Sequence, residues 1–228
     1  MEIDSAVFTG CLLGMAVGDA MGNTVDKSSL AEIRNNYGPD GLLGYDLVNG
    51  CADVTSYTQL AAFAANGLLI CLTRKKLRGQ NIPPLNGIAL AIREWARSQH
   101  YCEPAKNHCW LSTIPELKRK RCMDTWMLTV LSSDRMGTPQ NPVNRSDNPA
   151  ALTEVIPITL LAKELELTNE ERDLLAAQTV SLTHGNRETF LSGAFLAHFL
   201  GRILEDPAAD TEILLDETIH AISIEFGS

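Results

Sequence analysis

The stretch Asp53-Val54-Thr55-Ser56-Tyr57-Thr58-Gln59-Leu60 sets a row of oxygen-bearing side chains where an apolar helix begins. Thr55 can cap that helix by accepting a hydrogen bond from a free backbone N–H one turn later. Capping accounts for Thr55 alone. It leaves Ser56, Tyr57 and Thr58 open to a second reading, a ligand-binding helix start, with Asp46 and Asp53 near enough in sequence to add carboxylates. A second group, Cys102, His108, Cys109 and Cys122, consists of zinc-ligand types. Adjacent His108 and Cys109 are not a usual chelating pair. Neighbouring side chains also diverge on a helix or strand, which argues against a Cys–His nucleophilic pair.

The bulk composition narrows the classes. The chain has 228 residues, is 45% hydrophobic and carries a net charge of −9. That is enough chain to bury a sizeable core. With the pI near 5.0, no nucleic-acid groove is expected; the one basic run, Lys118-Arg119-Lys120-Arg121, reads as a solvated helix end. No apolar run reaches the roughly 18 residues of a spanning helix, and the acidic start MEIDSAVF is unlike a signal peptide, so no membrane partner is expected. Six cysteines without a CxxC spacing fit a cytoplasmic chain with reduced thiols.

The elements that must position these residues have helical period. Residues 5–22 carry glycines at 10, 14, 18 and 22, a bare stripe on one helix face. Four glycines cost roughly 3–4 kcal/mol in helix propensity, which close packing or a ligand must offset. Further helices are expected over about 28–36, 56–75 and 86–99. Shorter ones are expected in WLSTIPELKRKR and MDTWMLTVLSS, followed by a loop over 137–149. In AALTEVIPITLLAKEL, Pro157 must kink or begin a helix. Thr168 and Glu171 form a capping box for 168–182. A long helix from about 186 and a tail helix complete an all-α chain of about nine helices, one domain over 1–228. Glu94-Trp95 and Trp126 sit on apolar faces and read as core.

Set in order, GCLLGMAVGDAMGNTVD, YGPDGLLGYD, VTSYTQLAAF, NRSDNPAALTEVIPI and LTHGNRETFLSGA resemble the ADP-ribosylglycohydrolase family, of the dinitrogenase-reductase-activating type. The resemblance implies a compact orthogonal multi-helix bundle with two Mg²⁺ ions in a cleft that cleaves ADP-ribose from an amino-acid side chain. The ions are hard and want six oxygens. By the same resemblance Asp26 is the candidate catalytic acid. Thr55, Ser56 and Tyr57 stand at metal-ligand positions, and Asp19, Thr58, Asn144, Glu154 and His184 at ligand-binding positions.

The chain departs from the family pattern at three places. Ser56 and Tyr57 replace both carboxylates of a Thr-Asp-Asp-Thr motif, each loss removing about 4 kcal/mol of gross attraction per unit charge at 4 Å. No Asp-x-Asp-Thr follows, so the bundle is expected to be truncated at its C-terminus, leaving an apolar groove open to a second copy of the chain. Glu154 stands where the family has an arginine, so a phosphate there is expected to meet a carboxylate. The expectation is a binder of ADP-ribose or an ADP-ribosylated protein, with Mg²⁺ weakly held or lost and hydrolysis weak or absent; the alternatives are an active Mg²⁺-dependent ADP-ribosyl hydrolase with variant ligands and a structural or interaction protein.

Overall fold

In this computed structural model, residues 5–47, 50–99, 108–121, 125–133 and 135–227 are described. Cys102, Cys122 and the start of MDTWMLTVLSS lie outside them. The described residues form nine α-helices and no strand, as the all-α reading expects: α1 Ser5–Asn23, α2 Leu30–Tyr37, α3 Ser56–Arg78, α4 Pro84–Gln99, α5 Thr125–Ser132, α6 Val155–Leu160, α7 Asn169–Ser181, α8 Arg187–Glu205 and α9 Thr211–Phe226.

Local signals explain most boundaries. Capping boxes open α2 at Ser29/Glu32 and α7 at Thr168/Glu171, each satisfying two free donors. Asn186 and Asp210 cap α8 and α9. Gly79, at φ 62°, ends α3 in the left-handed region. Pro157 lies in the first turn of α6, where its missing N–H costs nothing; a 3-10 turn over Pro149–Glu154 leads into it.

WLSTIPELKRKR is not one helix. It forms two 3-10 turns, Trp110–Thr113 and Pro115–Lys118. Pro115 interrupts the hydrogen-bond ladder. Glu94 of α4, buried, accepts from the N–H groups of His108 and Cys109 and from the Ser112 hydroxyl, so the start of this segment is fastened to its neighbour.

Two apolar clusters hold the fold. One joins Leu60, Phe63 and Leu68 of α3 to Ile88, Ile92 and Trp95 of α4. The other joins Ala176 and Val180 of α7 to Phe190, Ala194 and Ala197 of α8 and Ile222 of α9. Full burial of such side chains contributes roughly 1.5–3 kcal/mol each. Trp95 is in the core as expected; Trp126 is not, with 71% of its surface exposed.

Helix α1 differs from expectation in two ways. Nothing lies within 4 Å of where a Cβ would stand on Gly10, Gly14, Gly18 or Gly22, so the stripe is unpacked among the described residues. The helix is also long and apolar enough to cross a membrane by length and composition, contrary to the sequence count. Its one charged residue is Asp19, and that residue ties it to α3.

Candidate functional site

A cleft of about 830 Å³ opens between the end of α1, the first turn of α3, α5 and the loop 144–148. That volume is within the roughly 300–1,000 Å³ range of small-molecule sites. Asp19, Asp26, Thr55, Ser56, Tyr57 and Asn144 all line it. Thr58, Glu154 and His184 do not. Arg121, Trp126, Lys27 and Arg145 do, and none of these was picked out as a site residue from the sequence.

The first turn of α3 is built around Asp19. Its Oδ1 accepts from the Thr55 hydroxyl at 2.6 Å. Its Oδ2 accepts from the Thr55 N–H at 2.8 Å, the Thr58 N–H at 3.2 Å and the Thr58 hydroxyl at 2.6 Å. Thr55 Oγ1 in turn accepts from the Tyr57 N–H at 3.1 Å. Hydrogen bonds to an ionised group contribute roughly 1.5–3 kcal/mol each, non-additively, and a carboxylate suits the positive end of a helix. Thr55 and Thr58 therefore form a cap, and a double one, while Ser56 and Tyr57 line the cleft. Thr55 caps through its own oxygen, while both threonines hand their hydroxyl protons to a carboxylate from α1.

Arg121 closes the adjoining wall. Its Nη1 donates to the Val54 carbonyl, and its Nη2 donates to Asp53 Oδ1 at 2.6 Å. The Arg121 side chain is 13% exposed and the Asp53 side chain 44%. The Arg121 hydrogen bond holds the Asp53 carboxyl below its usual range. The basic run is thus not simply a solvated end: Arg121 is folded in, while Arg119 stays 63% exposed and 3.9 Å from Asp53.

Asn144 ties the opposite wall to the junction before α8. Its Nδ2 donates to the Thr183 carbonyl at 2.7 Å; its Oδ1 accepts from the N–H groups of Ser146 at 3.0 Å and Gly185 at 2.8 Å. His184 is buried there, with Nδ1 2.8 Å from the Thr183 hydroxyl. Glu154 is fully enclosed, and neither of its oxygens has a hydrogen-bond partner among the described residues. Burial pushes its carboxyl well above the ordinary value. Glu154 thus stands behind the cleft's lining rather than in it. Next to it, the Thr153 hydroxyl donates to the Tyr57 carbonyl at 3.0 Å, bracing the turn of α3.

These residues do not fit a magnesium pair. No group of three or more acidic, His or Cys side chains that could hold an ion occurs among the described residues. Asp19 is saturated by four donors. Asp53 is bonded to Arg121 and Asp46 accepts from the Tyr37 hydroxyl at 2.8 Å; neither is among the residues that line the cleft. A dication here would also meet the Arg121 charge, where Mg²⁺ needs oxygens. The Cys109 thiol is pushed up to about 12, mainly by burial and then by Glu94, so it offers no thiolate at neutral pH.

What the cleft does offer is a set of unengaged charges and an exposed ring. The side chains of Asp26, Asp147, Lys27 and Arg145 line it, with Lys27 and Arg145 exposed to water. Trp126 and Tyr57 add aromatic surface. Cations for phosphates, an aromatic face for a base and short amides for sugar hydroxyls suit a nucleotide-like ligand. The family model described as ADP-ribosylglycohydrolase matches residues 4–225. No curated protein and no solved structure matches the chain.

Proposed function

Because the chain belongs to the ADP-ribosylglycohydrolase family, we propose that its cleft binds the ADP-ribose unit, free or attached to a protein. In this reading, hydrolysis of the N-glycosidic bond is weak or absent. One observation carries it: Asp19, the acid at the head of α3, accepts four hydrogen bonds from Thr55 and Thr58, so its oxygens are turned to capping α3 rather than to an ion. Lys27 and Arg145, exposed in the lining of the cleft, add positive charge that suits a diphosphate. Any residual hydrolysis would draw on Asp26, which lines the cleft and can accept a proton from an attacking water.

The test pairs binding with turnover. ADP-ribose should raise the melting temperature. Millimolar magnesium alone should leave it unchanged, and ADP-ribosyl-arginine should be released no faster than in buffer. Turnover that rises with magnesium and disappears in Asp26→Asn would show a working hydrolase and overturn the proposal. An unchanged melting temperature at millimolar ADP-ribose would remove the binding role.

A further inference from the structure

The misfit between the cleft and a metal ion leaves a question of charge. A diphosphate needs a fixed positive centre, and α3's first amide hydrogens are already spent on Asp19. We infer that the Arg121 guanidinium supplies this centre, so that the cleft binds a diphosphate ligand without a divalent cation. The inference rests on the reading of the cleft as an ADP-ribose site and adds the residue and the ionic requirement.

Three observations support it. Arg121 lines the cleft beside the start of α3 and is held in place by Val54 and Asp53, so its planar fork is ordered before any ligand arrives. A guanidinium stays ionised at every working pH, and its fork matches phosphate oxygens in pairs. Its charge is also unevenly balanced. Arg121 is 13% exposed, whereas Asp53 is 44% exposed, so water screens the carboxylate more than the cation. The Arg121 Nε is buried with no hydrogen-bond partner among the described residues, so the guanidinium carries a donor its present contacts do not meet.

The competing role is a structural pin, in which Arg121 only fastens residues 119–121 to residues 53–54. Titration calorimetry with ADP-ribose separates the two, using the full chain in chelator and in millimolar magnesium. The expected wild-type affinities agree within about twofold in the two buffers. Arg121→Gln keeps donors for Val54 but loses the charge, and should weaken binding by about tenfold or more; Arg121→Lys should fall between. Asp53→Asn frees the guanidinium from its carboxylate and should tighten binding severalfold, which a pin would not do. Circular dichroism checks that each variant folds. If Arg121→Gln does not fold, Asp53→Asn and Arg121→Lys still decide.

Binding that vanishes in chelator, an Arg121→Gln protein that binds like wild type, or an Asp53→Asn protein that binds no tighter would each overturn the inference while leaving the ADP-ribose reading in place. Wild-type protein that binds ADP-ribose in neither buffer would remove the reading beneath it, and the inference with it.

Discussion

Glu154 is the residue whose chemistry departs furthest from its ordinary behaviour. Its carboxyl is enclosed and unpartnered among the described residues, and burial raises its proton affinity. In the unfolded chain the group releases its proton near the usual value of about 4.3. Above that pH the native state holds a proton that the unfolded state has lost. Stability therefore falls as pH rises from the unfolded value toward the raised native one. Replacing it with glutamine removes the term. Urea unfolding between about pH 5 and 8 should show Glu154→Gln gaining on wild type as pH rises; a difference that stays flat across the range would mean the carboxyl is not enclosed as described. From the sequence, Glu154 was marked for standing where an arginine was expected. Its enclosure was not readable there, because burial is a property of what packs over a residue. Asp19 was likewise marked, but its four donors come from residues 36 to 39 positions away.

At the scale of elements, glycines have opposite meanings in different helices. Gly67 of α3 and Gly87 of α4 face each other so closely that a Cβ on either would collide with the backbone of the other, and a Cβ on Gly87 would also strike Cys71 Sγ. Gly67→Ala should cost roughly 1–3 kcal/mol in denaturant unfolding. In α1 a Cβ on Gly10 or Gly14 meets nothing, so alanine there should raise stability by up to about 1 kcal/mol through helix propensity. Equal effects at the two places would contradict the packing described. The regular spacing of the α1 glycines made them visible in the sequence, while Gly67 and Gly87 gave no signal. Helix positions and caps are local, and α1, α2, α3, α4, α7, α8 and α9 were legible from period and capping residues. Which helices cross at a point of closest approach is decided by tertiary packing and was not.

Across the whole molecule the cleft collects residues from position 19 to position 150, and this is where the sequence said least. Arg121 sat in a basic run and Trp126 at helical spacing among apolar residues; each had an ordinary local explanation. Neither local reading could see that the chain returns both to the start of α3. The same view exposes an unbalanced surface on α1, where Leu13 is 60% and Val17 46% exposed. Apolar side chains left exposed one turn apart are open to a hydrophobic probe. A hydrophobic dye should bind the native protein, and Leu13→Glu with Val17→Glu should lower the signal without lowering the melting temperature. A native protein that leaves the dye dark would mean the face is covered.

The Asp19 bonds have one more consequence. The carboxylate is a resident competitor for the amide hydrogens at the head of α3. Because it is tethered, it acts at an effective concentration on the order of millimolar or above. A visiting anion cannot win that spot cheaply, so recognition is displaced sideways, onto whatever cations the neighbouring wall can furnish. On the proposed reading, helix α1, tied to α3 through Asp19, thus sets where in the cleft a ligand's negative charge can rest.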